Sequence, residues 1–439
     1  MILAHKIALD PNDVQETYFR KAAGTARFAY NWALSEWQRQ YDAWQADSAA
    51  NKPSDAALRR QLNAIKRNEF PWMLEVTKNA PQMAIMHLGQ AFKNFFAGIA
   101  EYPTFKKKGR HDSFTLTNDQ FTVKGQQVHI PKLGWVRMHE SLRFVGKVLD
   151  GTISRTADRW FLSVTIEIPD PPRIRRENQA VVGVDLGVAA LATLSTGEKI
   201  VGPKAYATAL KQLRRLSRQF GRQMEAAKVR AGLKPGQPIP KGMHVPWSQN
   251  MRKTQQCIAR LHARIANIRT DALHQLTTDL VKRFDVIAIE DLNVAGMLKN
   301  HPLARAIADM GFGEFRRQLE YKASQRGKTV VVISRWYPSS KTCSSCGYKM
   351  PKMTLAMREW TCPECHTHHD RDINAGDQFT HSGREFDGGL PIRCCVTTAL
   401  LGDSLWSAHL WMTGASPKKQ WHDEAGRWRQ IWSEMIRNG

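Results

Sequence analysis

Two hydrophobic periods divide the chain. Over residues 14–45 apolar side chains recur at helical spacing, at Phe19, Ala23, Ala26, Tyr30, Ala33 and Trp37. Further helices are expected over 55–68 and from Pro81, a favoured first-turn residue, to Phe96. The aromatics of this block read as core. From Tyr102 the period shortens. A basic turn, FKKKGRHDSFTLT, leads into strand-like segments FTVKG, QVHIPKLGWVRM and KVLDGTISRTADRWFLSVTIEI, separated by Gly, Asp and Lys turns. Short strands so spaced predict a small antiparallel β-barrel. PDPPRIRREN, rich in proline and charge, reads as a linker.

Beyond Ala180 the pattern is α/β. VVGVDLG, FDVIAIED and TVVVISR read as strands, and EKIVGP completes a hairpin. Helices are expected over 204–222 and 251–281, the second with an apolar stripe at Ile258, Leu261, Ile265, Ile268, Ala272 and Leu276. Between them GLKPGQPIPKGMHVPW predicts a loop, and GFGEFRRQLEYKASQRG an amphipathic helix between two strands. Strand, helix and strand in this order fit a sheet with helices packed on it.

Composition narrows the function. The 439 residues carry a formal net charge of +24. A charge of this size favours a polyanion, nucleic acid first. From Lys204 to Arg269 fifteen Lys and Arg face one acid, Glu225. Like charges four residues apart destabilise a helix unless something neutralises them, so this stretch reads as a nucleic-acid track. No apolar run reaches the length of a spanning helix, and the N-terminus lacks a signal-peptide core. The expectation is a soluble, cytoplasmic protein with no membrane partner, nucleoid-associated when on DNA.

Two sets of residues carry chemistry. Cys343-x2-Cys346, fifteen residues, then Cys362-x2-Cys365 is the spacing of a four-thiolate zinc site. Four thiolates close the coordination shell, so one Zn²⁺ there is structural. His366, His368 and His369 read as polar loop, and Cys257 as a buried helix thiol. The second set is acidic. Asp185 and Glu290 each end an apolar run, and Asp372 follows the cysteines in HHDRDINAG. Each alone has a bland reading, such as a turn, an ion pair or a helix cap. Together they fit an oxygen-lined Mg²⁺ site, and two such ions suit phosphodiester hydrolysis. Asp291 is expected to point away from Glu290.

GVDLGV, IEDLNVAGM, RWYPSSKTCSSCG and DRDINAG together resemble the RuvC-type nuclease core of the transposon-encoded TnpB family. The likeness runs over roughly residues 1–376, with NAG where the family's motif reads NAA. It implies an RNA-guided DNA endonuclease related to type V CRISPR effectors, with guide RNA, double-stranded target DNA and its displaced strand as partners. The implied architecture is α+β and multidomain: a β-barrel over 1–15 and 102–172 with helices 16–101 inserted, then an RNase H-like (RuvC) domain over 173–339 and 369–380 with a zinc ribbon, 340–368, inserted. The Trp-rich tail, 381–439, has no assigned role. By motif position Asp185, Glu290 and Asp372 are the catalytic, Mg²⁺-binding acids, and cutting leaves 5′-phosphate and 3′-hydroxyl ends. Expected nucleic-acid contacts are Lys106, Lys107, Lys108 and Arg110, Thr117 and Asn118 at the flanking motif, and Arg260, Arg264 and Arg269 along the RNA–DNA backbone. The alternatives are a nuclease-inactive RNA-guided repressor, which would lack an acid, and a guide-independent transposase or resolvase.

Overall fold

The computed structural model describes residues 1–47, 51–170, 180–240, 242–354 and 357–387, with side chains of the last helix to 381. Most of the expected linker lies outside the described residues, as do Cys394, Cys395 and the Trp-rich tail beyond residue 387. Strand β1 (Ile2–Asp10) leads into α1 (Asp13–Ala46). Asn12 and Gln15 form a reciprocal capping box at the start of that helix. Next come α2 (Asp55–Ile65), a short 3-10 turn and α3 (Asn79–Phe96). Six strands follow: β2 (Ser113–Thr117), β3 (Thr122–Lys124), β4 (Gln127–Ile130), β5 (Gly134–Met138), β6 (Lys147–Thr156) and β7 (Arg159–Glu167).

These strands form one antiparallel sheet in the order β2-β6-β7-β1-β5-β4-β3. The expected closed barrel is not formed: no ladder among the described residues joins the edges β2 and β3. Strand β1 instead turns the sheet, pairing with β7 through Ala8 and with β5 at Leu9 and Asp10. Helices rather than closure cover the inner face. Phe19 of α1 packs on Trp160 (ring centroids 5.2 Å apart) and Phe114, and Trp37 stacks on Phe92 of α3 at 4.3 Å.

The remaining elements are β8 (Val181–Asp185), β9 (Ala192–Leu194), β10 (Lys199–Ile200), α4 (Ala205–Arg230), α5 (Gln249–Arg283), β11 (Val286–Glu290), α6 (Val294–Met297), α7 (His301–Met310), α8 (Phe312–Gln325), β12 (Thr329–Ile333), β13 (Glu359–Thr361), β14 (His368–Asp370) and α9 (Arg371–Asp387). Five strands make a second sheet, β10-β9-β8-β11-β12, with β8, β11 and β12 parallel and β9 and β10 antiparallel. Alternation along the strands gives it two buried faces. Val182, Val184, Ile287 and Ile289 pack with α5 and α8, while Val286, Ala288, Val331 and Ile333 meet Phe379 of α9.

Helix α4 runs well past the expected end, to Arg230. Its extension is held by a small core that includes Leu233, Val245 and Met251, with Phe220 against Trp247. Cys257, expected to be buried, is exposed. No helix among the described residues is long and apolar enough to cross a membrane.

Candidate acidic site and four-cysteine knuckle

Register brings the first two acids together. The parallel ladder of β8 and β11 runs from Val181↔Val286 to Val184↔Ile289, so Asp185 and Glu290 are the next residues on neighbouring strands. Adjacent strands lie about 4.8 Å apart. By alternation both side chains share the face on which α9 packs. That helix comes unusually close: a Cβ on Gly183 would sit 1.8 Å from the Gly376 carbonyl oxygen. The Gly183 N–H donates to Thr380 Oγ1 at 2.9 Å and to Ser195 Oγ at 3.2 Å. Helix α9 is thereby fixed on β8, and Asp372 in its first turn reaches the strand ends.

The electrostatics reflect this convergence. Burial, then Asp372, then Glu290 push the Asp185 carboxyl up to about 7. Burial, then Asp291, raise Glu290 as well. Neither Asp185 nor Glu290 has an ion-pair partner among the described residues, while Asp372 lies 3.9 Å from Arg358. Their neighbours differ. Asp291 is paired with Arg316 at 2.7 Å and with Arg335. Asp370 caps α9, accepting from the N–H groups of Asp372 (3.0 Å) and Ile373 (3.2 Å), and takes Lys199 at 2.6 Å. Arg371 and Arg335 only partly offset the charge on Asp185 and Glu290, and the oxygens of the three acids are not drawn in as tightly as the four thiols. Neighbouring carboxylates favour a cation, and an all-oxygen donor set suits a hard ion such as Mg²⁺.

The four cysteines do converge. Their Sγ atoms all lie within 4.8 Å of one another. Cys343 and Cys365 are 3.6 Å apart, and Cys346 and Cys362 3.5 Å. A tetrahedron with zinc–sulfur bonds of about 2.3 Å has edges near ~3.8 Å, so the thiols fit one Zn²⁺. Gly347, at φ 79°, makes the turn that wraps the first pair.

Sequence reasoning missed what fastens this knuckle to the acidic site. His369 is buried, with Nε2 3.0 Å from Cys343 Sγ and its ring against Trp360. Asn374, 1 % exposed, donates Nδ2 to the carbonyls of Thr342 (2.8 Å) and Ser339 (3.2 Å), while its Oδ1 accepts from Ser344 N at 2.9 Å. Gln378, one turn on, accepts from the Tyr337 hydroxyl at 2.7 Å. The helix that carries Asp372 is thus stitched to the backbone on both sides of Cys343. One signal was available: asparagine is a poor residue for a helix interior and needs a reason to be there.

Family models match three stretches: "Probable transposase" over 163–301, "Cas12f1-like, TNB domain" over 312–377 and "Helix-turn-helix domain" over 1–45. The last stretch is here a strand and one long helix. A Streptomyces pristinaespiralis protein named "Putative RNA-guided DNA endonuclease" is 36% identical over 387 residues, covering 87% of this chain and 89% of that protein. The chain belongs to the TnpB family. Another relative, Escherichia coli K12 "Putative RNA-guided DNA endonuclease InsQ", is 30% identical, covering 89% of this chain and 96% of its own length. The chain is also similar to the protein in a Cas12f1–sgRNA–target DNA complex, at 14% identity and a TM-score of 0.45 with 83% of each chain covered, too loose a likeness to fix any detail here.

The basic residues of this TnpB-family chain divide by their partners. Lys107, Lys108 and Arg110 are exposed and have no ion-pair partner among the described residues. The Lys106 ammonium stands 4.0 Å over the Tyr30 ring. Thr117 accepts from Asn79 at 2.6 Å and donates to Asp119, and Asn118 reaches the Val148 carbonyl at 3.3 Å. Arg260 binds Asp158 at 2.5 Å, joining α5 to the β6–β7 turn. Arg269 donates to the Ala308 carbonyl at 2.6 Å. Arg264 alone of the three has no such partner among the described residues.

Proposed function

We propose that this protein is an RNA-guided DNA endonuclease that hydrolyses phosphodiester bonds at one RuvC-like site built from Asp185, Glu290 and Asp372. The observation that carries the reading is the β8–β11 register, which sets Asp185 beside Glu290, with Asp372 close enough to raise the Asp185 pKa. The β10-β9-β8-β11-β12 order, with antiparallel β9 and β10 beside three parallel strands, is in keeping with an RNase H-like fold. Relatives named as RNA-guided DNA endonucleases support the guide and the DNA substrate.

Two Mg²⁺ ions held by these carboxylates would activate water and stabilise the leaving oxygen of the phosphodiester. The protein's own part is to bring three acids near one another and to neutralise their neighbours. Arg316 and Arg335 neutralise Asp291, and Lys199 and the helix N-terminus occupy Asp370, so neither competes for the ions. Cys343, Cys346, Cys362 and Cys365 would hold one Zn²⁺, which would fix the knuckle that α9 leans on. Lys106, Lys107, Lys108, Arg110, Arg264 and the Thr117–Asn118 turn would meet guide and flanking duplex, largely through phosphate.

The test is to purify the protein with its native flanking DNA, sequence the bound RNA, and offer a matched duplex with a randomised flank. Mg²⁺-dependent cutting next to one short flank is expected, and none from Asp185→Ala. Cutting that survives Asp185→Ala, or that ignores the match to the RNA, would overturn the reading. Strand joining instead of cutting would favour a transposase.

A further inference from the structure

Trp336 is the most exposed aromatic side chain among the described residues, at 86 %. Other exposed tryptophans rest on rings: Trp72 on Phe28 at 5.1 Å and Trp135 on His129 at 5.2 Å. The Trp336 indole meets no ring and no cation among the described residues. Yet the loop that presents it is anchored on both sides. Arg335 is paired with Asp291, the residue after Glu290. The Tyr337 N–H donates to the Ser334 carbonyl at 2.9 Å, and the Tyr337 hydroxyl donates to Gln378 of α9 at 2.7 Å. A large apolar ring held in water by a fixed backbone is prepared for a ligand at low ordering cost.

Position says which ligand. Glu290 pairs with Ile333 in the β11–β12 ladder, and Trp336 follows three residues later, within about 10 Å of extended chain. Its neighbour Tyr337 is tied to the helix that carries Asp372. The ring therefore projects from a loop bracketed by the elements bearing two of the acids. Around it stand Arg335, Ser334 and the part-exposed Tyr337, whose hydroxyl is already bonded, rather than the contiguous apolar patch that a protein partner uses. We propose that Trp336 binds an unpaired nucleobase of the DNA strand entering the acidic site, by stacking. Every base has a π face, so this contact is tolerant of sequence and holds the strand while the acids engage the backbone. The inference rests on the nuclease reading above and names the form of DNA the site accepts.

The experiment uses the full-length Asp185→Ala protein with the RNA that copurifies, titrated with a short single-stranded oligodeoxynucleotide carrying 2-aminopurine, whose fluorescence stacking quenches. Adding Trp336→Ala or Trp336→Leu is expected to weaken binding about 5- to 150-fold and abolish the indole-dependent quench, with melting temperature unchanged. Trp336→Phe, which keeps a π face, should stay within about three-fold of Trp336, the weaker end of that stacking range. Equal affinity and quench in Trp336→Ala would overturn the proposal, as would Leu performing as well as Phe. Because the probe is read with Asp185 already replaced, residual cutting would refute the role of that acid and leave the stacking result standing.

Discussion

Gly183 and Gly376 meet backbone to backbone: a methyl group on Gly183 would lie 1.8 Å from the Gly376 carbonyl oxygen and 2.8 Å from its carbonyl carbon. Gly183 stands two residues before Asp185, and Gly376 four after Asp372, so this contact sets how the third acid meets the first. Gly183→Ala must push α9 off the sheet, and is expected to cost about 1–3 kcal/mol of stability and most of the cutting. Gly376→Ala is milder, since its Cβ would meet Ser195 N at 3.0 Å and Cα at 3.2 Å. The gain of about 1 kcal/mol in helix propensity offsets that crowding, so its net change stays within about 1 kcal/mol. Thermal melts and single-turnover cleavage of the two variants check the ranking, and equal effects would contradict it.

The raised Asp185 pKa gives the metal-free protein a stability that depends on pH. A buried acid whose folded pKa, about 7, exceeds its ordinary 3.8 keeps its full stability below the lower value and loses it as pH rises through the higher one. Melting temperature in chelator should therefore fall between about pH 4 and 7 and level off above, and Mg²⁺ should restore it at the upper end. Asp185→Asn removes the titration and is expected to stabilise the metal-free protein at pH 8 by about 2 kcal/mol, less than full burial implies because water still reaches the residue. A flat pH profile for the unmodified protein would speak against the convergence of the acids.

Asn374 joins the knuckle to α9 through three hydrogen bonds, one buried and two part-buried. Asn374→Ala leaves the Ser344 N–H and the Ser339 carbonyl without these partners, each costing about 1–3 kcal/mol, and the Thr342 carbonyl with only the longer bond from Gln378 Nε2 at 3.4 Å. Cleavage should drop at least ten-fold and the Mg²⁺ midpoint should rise, with bound zinc and DNA binding unchanged. Removing zinc with a chelator should produce the same shift in Mg²⁺ midpoint. Atomic absorption, a gel shift and a Mg²⁺ titration separate these effects.

Arg264 and Arg260 lie one turn apart on α5 but are not equivalent. Arg260 is held by Asp158, whereas Arg264 has no such acid. Arg264→Ala is expected to weaken binding to nucleic acid across sequences and to lower the salt slope by about one. Arg260→Ala should change that slope less and lower stability, by up to about 1 kcal/mol for an exposed pair. Binding measured across a salt series distinguishes them.

Period and spacing alone placed α1, α2, α3, α5, α8, most strands of the two large sheets and the four cysteines, though not α6, α7, β13, β14 or the end of α4, because helix and strand periodicity and CxxC turns are local properties of a chain. The strand-end acids were legible for the same reason: a charge that closes an apolar run stands out without any fold. Whether the first sheet closes was not local, and the barrel expected from short strands gave way to an open sheet whose inner face the helices fill. Nor could sequence reveal that Gly376, costly inside a helix, sits at the tightest approach to β8, or that Asp370 caps the helix while Asp372 faces Asp185. His369, Asn374 and Trp336 took their meaning from neighbours distant in the chain or from the lack of them. Hydrogen bonds, like-charge crowding and exposure act through space, and only tertiary packing sets those distances.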